Sequence, residues 1–513
     1  MLIKTYGSAV FGVNALTITI EVSIGGGNRY HIVGLPDNAI KESLRRIESA
    51  IQSAGLKMPR QKIVINLAPA DIRKEGSAYD LPIAIAILAA SEQLESTAET
   101  DKYFIMGELS LDGSLQPIKG ALPISIQARS AGFKGFILPA SNSREAAIVS
   151  DLLVYGMRNL AEVAAFFNGT AVPEPVVVNT RDEFFNHVSS YEQDFSDVKG
   201  QENIKRALEI AAAGGHNLIL IGPPGAGKTM LAKRLPTILP PLNLQEALET
   251  TKIHSVAGKL GVAESLMTER PYRSPHHTIS DMALVGGGAN PQAGEISLAH
   301  NGVLFLDELP EFKRSVLEVM RQPLEDRKVT ISRARLSVEY PASFMLIASM
   351  NPCPCGFYNH PEKECICGPG QVQKYMSKIS GPLLDRIDLH VEVTPVNFNE
   401  LTSQIQAEKS SVIRNRVIRA RTIQDARFKA NNNLHYNAQM SPRAVREICK
   451  IDEAGKALIK QAMEKLGLSA RAYDRILKVA RTIADLAESK EIKLEHLAEA
   501  IHYRSLDRDS WTA

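Results

Sequence analysis

The sequence predicts an α/β protein in which a mixed α+β region, a parallel-sheet core and a helical region follow one another. Strand and helix patterns are mixed over residues 1–172, and 173–195, which begin Pro-rich and end polar, are expected to be a linker. Apolar strand-like runs alternate with helical segments over 196–392, the rhythm of a helix-covered parallel sheet. Amphipathic helical pattern then fills 393–513. At about 150 residues per domain, we expect three or so domains.

Composition restricts the class of protein. The 59 basic and 57 acidic residues nearly cancel, so any nucleic-acid surface must be a local patch. The N-terminus lacks a basic flank followed by an apolar stretch, and the best apolar run, 81–90, is about half the roughly 20 residues that a membrane span needs. We therefore expect a cytoplasmic protein with no membrane partner. In that reducing compartment, clustered cysteines are metal ligands or redox thiols rather than disulfides.

Two local patterns organise the first region. Apolar residues alternate from Ile18 to Ile24, stop at a glycine run, and resume at Tyr30 and Ile32, which predicts a β-hairpin. Asp37 is expected to cap a helix that ends near Gly55.

A phosphate-binding loop follows the predicted strand 218–221 and precedes a helix-compatible segment. Its glycines let backbone N–H groups converge on phosphate oxygens, Lys228 can reach the terminal phosphates, and the Thr229 hydroxyl can bind Mg²⁺. We expect ATP as the nucleotide. The loop consists of Gly222, Pro223, Pro224, Gly225, Ala226, Gly227, Lys228 and Thr229.

Two carboxylates end a second apolar strand, 303–306. Asp307 is expected to hold the hydrated Mg²⁺, and Glu308 to polarise the attacking water. Together with the phosphate-binding loop, this pair indicates ATP hydrolysis rather than phosphate binding alone.

Longer segments accompany these motifs: DVKGQ from 197, RPYRSPHHTISDMALVGGG from 270, LFLDELPEF from 304, RKVTISRARLSVEYP from 327, ASMNP from 348 and GPLLDRIDLH from 381. They resemble the magnesium-chelatase-like AAA+ ATPases, and the first region and the order of parts resemble the YifB/ComM branch. The resemblance covers essentially the whole chain. It implies an AAA+ P-loop αβα core followed by a helical lid.

The resemblance also implies further site residues. Asn351 is similar to sensor 1, which helps orient the water, and Arg386 to the arginine finger that reaches a neighbouring subunit's γ-phosphate. Arg471 is similar to sensor 2 on the lid, with Arg475 one turn later as the alternative. For each arginine a surface ion pair is the other interpretation. A finger acting in trans implies a ring, and the family expectation is a homo-hexamer.

The first region resembles the Lon-type protease fold, which belongs to the ribosomal S5 domain 2-like family. Segments 74–80 and 117–120 match the parts that carry the serine nucleophile loop and the lysine-bearing helix. The resemblance places Ala78 at the serine position and Ile124 at the lysine position, so both members of the catalytic pair are lost and we expect no protease. Ser77 could substitute only after a register slip. The favoured role is a scaffold that binds a substrate or partner, or helps order the ring.

Four of the five cysteines form two C-x-C pairs within 353–367. Four thiolates can converge tetrahedrally on Zn²⁺, which would close a polar loop rich in Pro and Gly and could hold the sensor and subunit-facing elements in register. An iron–sulfur cluster and unliganded or redox-active thiols are the alternatives, with His360 then a substitute ligand. The four are Cys353, Cys355, Cys365 and Cys367. The fifth, Cys449, is expected in the core.

The resemblance implies a DNA translocase or helicase that promotes branch migration of recombination intermediates in natural transformation. Single-stranded or branched DNA is the expected partner, gripped at its phosphates without base reading. A solvated hairpin edge is the alternative for the candidate contacts, and a solvated face is the favoured interpretation of the basic run 414–429. One alternative function is a protein-remodelling ATPase related to the magnesium chelatase motor subunit, and another is a general protein remodeller that uses the first domain as its adaptor. The candidate DNA contacts are Arg273, His276, His277, Arg333 and Arg335.

Overall fold

The structure is a computed structural model and describes residues 2–27, 29–95, 99–180, 184, 192–261, 264–288, 291–333, 336–358, 360, 362–395, 407–429 and 434–505. The chain forms two compact units. The first unit contains Met1–Val188 and Asn243–Thr268, and the second contains Ser189–Leu242 and Glu269–Ala513.

A seven-stranded mixed sheet forms the centre of the first unit. Its strands are β1 (Leu2–Phe11), β2 (Asn14–Gly25), β3 (Tyr30–Val33), β4 (Lys62–Ala68), β5 (Tyr103–Ile105), β8 (Gly135–Pro139) and β9 (Leu153–Met157). They lie in the order β3-β4-β2-β1-β5-β8-β9. A short hairpin, β6 (Glu108–Leu109) and β7 (Leu115–Gln116), lies outside the sheet.

The hairpin predicted across the glycine run is wrong. Strand β2 has the expected alternation, with Ile18, Ile20 and Val22 fully buried, but it pairs antiparallel with β1 and β4. Strand β3 lies on the far side of β4 and pairs with it in parallel. Alternation reports which face of a strand is buried, whereas the neighbour depends on which apolar strand fits beside it.

Five helices belong to the N-terminal part of the first unit: α1 (Asn38–Ser53), α2 (Asp80–Ala90), α3 (Ala121–Ser130), α4 (Ser143–Ala146) and α5 (Leu160–Phe167). The Asp37 carboxylate accepts a hydrogen bond from the Ile40 N–H at 2.9 Å, which confirms the predicted cap of α1. The apolar run in α2 is core, because ten of its eleven residues are buried.

A parallel five-stranded sheet forms the centre of the second unit. Its strands are β10 (Leu218–Ile221), β11 (Tyr272–Arg273), β14 (Val303–Leu306), β17 (Met345–Met350) and β18 (Leu389–Glu392). The order is β11-β14-β17-β10-β18. Two hairpins lie outside it: β12 (Gly286–Gly287) with β13 (Gln292–Ala293), and β15 (Lys328–Arg333) with β16 (Leu336–Pro341). The carboxyl ends of β10, β14 and β17 therefore meet at one edge, where α/β sheets bind their ligands.

Helices surround the parallel sheet and continue to the C-terminal part of the second unit. Their bounds are α6 (Glu202–Gly214), α7 (Lys228–Arg234), α9 (Asp281–Val285), α10 (Glu295–Leu298), α11 (Arg314–Val319), α12 (Arg321–Asp326), α13 (Pro369–Met376), α14 (Gly381–Leu384), α15 (Ser410–Phe428), α16 (Pro442–Ile448), α17 (Glu453–Leu466), α18 (Ala470–Leu486) and α19 (Leu494–His502). Ser441 caps α16 by accepting from the Ala444 N–H. Within the described residues after 395 there is no strand, as predicted.

Helix α8 (Leu244–Ala257) belongs to the first unit, although the chain before and after it belongs to the second. Its Ser255 hydroxyl donates to the buried Glu145 carboxylate, and the Ser255 carbonyl accepts from the Gly120 N–H at 3.1 Å. Buried polar contacts of this kind fix the position of α8 against α3 and α4. Among the helices that the structure describes, none is both long and apolar enough to cross a membrane.

Candidate ATPase site and cysteine cluster

The phosphate-binding loop runs from the end of β10 to the first residue of α7. Gly225 and Gly227 have φ of +79° and +85°, which glycine adopts without strain. Lys228 is largely buried and donates from its Nζ to the Gly222 carbonyl (2.5 Å), the Pro223 carbonyl (2.9 Å) and Asn351 Oδ1 (3.0 Å). The Lys228 ammonium group thus binds two carbonyls of its own loop and the Asn351 side chain. Phosphate oxygens can replace these acceptors.

Burial changes the charge balance of Lys228. Desolvation lowers its pKa to about 8, against the opposing effect of Asp307 and Glu308. The ammonium group therefore loses its proton around pH 8, well below the usual range of a lysine. A bound polyphosphate would add negative charge beside the ammonium group and favour its protonated form.

The two predicted magnesium ligands face each other across the sheet edge. The Thr229 hydroxyl donates to Asp307 Oδ2 at 2.8 Å, and the other carboxylate oxygen accepts from the Ser349 hydroxyl. Oxygen ligands of this kind suit Mg²⁺, which keeps several waters and uses one or two protein groups. Ser349 was not predicted, although strand alternation places it on the same face as Asn351.

Glu308 lies at the mouth of the site. Its side chain is 57% exposed, and its backbone has φ of +54°, a conformation that costs energy for a residue with a Cβ. His277 Nδ1 lies 3.6 Å from the Glu308 carboxylate, and its ring lies 4.0 Å from that of His276. The sequence analysis assigned His277 to DNA and did not predict its position beside the Glu308 carboxylate.

The four clustered cysteines converge. Their Sγ atoms lie within 4.8 Å of one another, with separations of 3.3 Å for Cys353 and Cys355, 3.7 Å for Cys353 and Cys365, and 3.6 Å for Cys355 and Cys365. Tetrahedral zinc with Zn–S bonds of about 2.3 Å would separate sulfurs by about 3.8 Å. All four are free of disulfides. The donor set therefore fits a closed tetrathiolate metal site.

Three of the four thiols have shifted pKa values. Burial raises the pKa of Cys355, but hydrogen bonds from the N–H groups of Phe357 and Ile366 lower it to about 6. The Cys367 N–H group lowers the pKa of Cys365, but burial and the neighbouring thiols together raise it to about 12. Burial also raises the pKa of Cys367. Because ligating thiols must be deprotonated, a divalent cation would be needed to hold four thiolates together.

Comparison with known proteins identifies the family. Three family models match: "Magnesium chelatase, subunit ChlI" over 194–401, "Subunit ChlI of Mg-chelatase" over 19–142, and "Magnesium chelatase, subunit ChlI C-terminal" over 407–504. The chain is 45% identical to "Uncharacterized protein YifB" of Escherichia coli, over 98% of this chain and 96% of the relative. It is 42% identical to "Competence protein ComM" of Haemophilus influenzae, over 98% and 97%. The chain belongs to the YifB/ComM family of magnesium-chelatase-like AAA+ proteins.

A further relative is a protease. "Lon protease 2" of Bacillus subtilis is 33% identical over 159 residues, which are 28% of this chain and 27% of that protein. The predicted fold class is confirmed: a Lon-like α+β domain accompanies an AAA+ core and a helical C-terminal region. Membership of the YifB/ComM family implies an ATPase that uses ATP and Mg²⁺.

The Lon-like positions hold no catalytic pair. Ile124 is buried in α3, and Ala78 lies in the short helix Ser77–Tyr79, where its carbonyl accepts from the Gly107 N–H at 2.9 Å. The neighbouring Ser77 hydroxyl donates to the Glu108 carboxylate. A carboxylate that accepts this proton is not the lysine base of the family pair.

Arg386 is held within its own chain in this YifB/ComM protein. Its guanidinium is 8% exposed, pairs with Glu325 of α12 at 2.5 Å and donates to the Pro382 carbonyl at 2.5 Å. Its buried Nε has no hydrogen-bond partner among the described residues. An incompletely satisfied buried guanidinium is unusual, and functional sites are one place where it occurs.

The two sensor 2 candidates differ in their surroundings. Arg471 lies exposed in the first turn of α18, whereas Arg475 pairs with Asp388, which follows Arg386 by two residues. Asp388 is 2% exposed and also accepts from the Asn217 N–H at 3.0 Å. Burial raises the pKa of Asp388, but Arg475 and the buried His216 hold it well below its usual range. Arg475 therefore attaches α18 to the core, and Arg471 is the candidate left facing solvent.

The candidate DNA residues lie in two places. The Arg273 guanidinium donates from Nε and Nη2 to the two carboxylate oxygens of Glu295, at 2.6 and 2.7 Å. His276 and His277 lie beside the ATPase site. Arg333 ends β15, and Arg335 lies outside the described residues. The structure brings the histidines to the ATPase site and leaves Arg333 at the hairpin end.

The basic helix α15 turns its arginines toward its own chain. Arg416 pairs with Glu209 and Glu408, both at 2.5 Å, and Arg427 with Asp485 at 2.5 Å. These guanidinium groups are therefore neither a plain solvated face nor an open phosphate-binding surface.

His360 accepts hydrogen bonds at Nδ1 from the Glu362 and Lys363 N–H groups and is not in the cysteine group. Cys449 is buried, as predicted.

Proposed function

We propose that the protein is an ATP-driven, ring-forming motor that translocates on DNA and promotes branch migration of recombination intermediates. The observation that carries the proposal is the near full-length similarity to a protein named for competence. The hydrogen bonds of Lys228 with Asn351, and of Thr229 with Asp307, support ATP binding at one sheet edge. Competence is the uptake of DNA, so this similarity favours DNA as the substrate. Cytoplasmic action fits that substrate.

The proposed cycle uses the chain's own residues in defined roles. Lys228 and the loop N–H groups bind the phosphates, Thr229 and Asp307 hold Mg²⁺, and Glu308 with Asn351 orients the water. Mg²⁺ supplies charge neutralisation at the phosphates when it is bound. Two of these pairs already lie within hydrogen-bond distance: Lys228 with Asn351, and Thr229 with Asp307.

We further propose that Arg386 completes the site of a neighbouring subunit in a homo-hexamer. The guanidinium would leave Glu325 for a γ-phosphate, and its unpartnered Nε supports this exchange. Arg471 would act as sensor 2, because Arg475 is already paired with Asp388. The first domain would then be a scaffold without protease activity.

Zinc is the metal that we propose for the four cysteines, in a structural role. All four thiols are needed for a tetrahedral set, so no coordination position stays open for chemistry. The sulfur separations support this assignment. A metal assay on the purified protein, with zinc expected and iron as the contrary result, tests it.

For DNA contact we propose the turn of the β15–β16 hairpin, with Arg333 and Arg335, and secondarily His276 and His277. Arg273 would contribute only after releasing Glu295, since its charge is compensated there. Contacts of this kind bind phosphates without reading bases. The boundaries 1–172, 173–195, 196–392 and 393–513 remain our proposed division of the chain into domains.

The experiment is the ATPase rate of the full chain with no DNA and with single-stranded, duplex and branched DNA. Stimulation that is greatest with branched DNA is expected, and Lys228→Ala should abolish the rate under every condition. Absence of stimulation by every DNA, with normal basal hydrolysis, would favour the alternative, a protein-remodelling ATPase. That alternative is favoured by the three matches to chelatase subunit models.

A further inference from the structure

Gly356 joins the cysteine cluster to the phosphate-binding loop. Its N–H donates to the Cys353 Sγ at 3.2 Å, and its φ is +85°. A Cβ built at this position would lie 2.5 Å from the Pro224 Cδ atom and 3.2 Å from its Cγ atom. Only glycine therefore allows the cysteine loop to approach Pro224 this closely, in this backbone conformation.

A second contact joins the same two segments. Asn351, two residues before Cys353, accepts a hydrogen bond from the Lys228 Nζ at 3.0 Å. The segment 351–356 thus contacts the phosphate-binding loop on both sides of Gly225 and Gly227, at Pro224 and at Lys228. Small shifts of such a loop matter, because its N–H groups must converge on the phosphate oxygens.

The cysteine loop has little regular structure of its own to keep this position. Among its described residues between 353 and 367, none lies in a helix or strand. Ile366, between the last two cysteines, is 87% exposed rather than packed in a core. Convergence of the two C-x-C pairs is therefore what can fix Gly356 against Pro224, and a metal bound by the four thiolates would enforce it.

We propose that metal binding by the four cysteines controls nucleotide affinity, by holding Gly356 against Pro224 of the phosphate-binding loop. The proposal rests on the proposed zinc site and on ATP binding at the loop, and it is independent of DNA. Loss of the metal frees the 353–367 segment, Pro224 loses its support, and the loop N–H groups no longer converge. The cysteine cluster is then a regulatory element of the ATPase site.

The test compares Gly356→Ala with Gly368→Ala in the full chain. Gly368 follows Cys367 directly, has φ of −67°, and a Cβ there would meet no atom within 4 Å. Affinity is measured by titration with a fluorescent ATP analogue, and zinc by its release to a chromogenic chelator. We expect Gly356→Ala to retain about one zinc per chain and to bind the analogue about tenfold more weakly. Gly368→Ala should match the wild type in both.

A second arm uses the unaltered protein. Zinc is removed with a thiol-reactive mercurial and a chelator, the thiols are regenerated with reductant, and zinc is added back, with circular dichroism at each stage. Affinity should fall on removal and return with zinc. Unchanged affinity in the folded, zinc-free protein, or in Gly356→Ala, would overturn the proposal. If instead the zinc-loaded wild type bound no nucleotide, the ATP site assignment would fail as well, whereas absent DNA stimulation would leave this inference standing.

Discussion

The buried Lys228 should make nucleotide binding sensitive to pH in the alkaline range. Its pKa in the free site is about 8, so the ammonium form predominates below this pH and is lost above it. Bound polyphosphate favours the ammonium form, so above pH 8 binding must take up a proton. Affinity therefore falls as pH rises through 8, and the dissociation constant increases by about tenfold between about pH 7 and pH 9.

The assay is titration with a fluorescent ATP analogue over that range, with Mg²⁺ and ionic strength held constant. Lys228→Met provides the control, because it removes the titrating group while leaving the other loop residues in place. The variant should bind more weakly and show little pH dependence. A wild-type affinity that stays constant, or an equal slope in Lys228→Met, would refute the assignment of the pH effect to this lysine.

Three further changes separate the roles of the other residues. Glu308→Gln should bind nucleotide normally but lose about 10²-fold or more in turnover, since only the water-polarising group is removed; weakened binding would argue against that role. Arg386→Ala should lose roughly 10³-fold in turnover, and mixing it with Lys228→Ala should restore part of the activity because each supplies what the other lacks; no recovery would contradict action in trans. Asp388→Asn should lower the free energy of unfolding by about 3 kcal/mol, because it leaves the Arg475 charge without its buried partner. Chemical denaturation beside the control Asp385→Asn would show equal losses if the pair were unimportant.

Residues that act within one continuous segment could be predicted. The loop 222–229 places its own phosphate-binding groups, because a strand, a glycine-rich turn and a helix start fix their geometry locally. The strand ending in Asp307 and the spacing of the four cysteines are likewise properties of short segments. Strand alternation also held for β2, where Ile18, Ile20 and Val22 are buried.

Residues whose role depends on a distant partner could not be predicted. Arg273 and Arg386 each carry a charge that could face DNA, a neighbouring subunit or an acid in the same chain. Only packing shows that Glu295 and Glu325 lie beside them. The hairpin error at β3 has the same origin, because alternation does not identify the strand alongside.

The sequence by itself determined the family, the general fold class and the presence of four clustered thiols, and it predicted the phosphate-binding loop. The tertiary structure decided that helix α8 belongs to the first unit, that His277 lies beside Glu308, and that Gly356 contacts Pro224. The physical reason is the sequence separation over which each kind of interaction acts. Backbone geometry and spacing act over a few residues, whereas these contacts join segments many residues apart and exist only once the sheets and helices have packed.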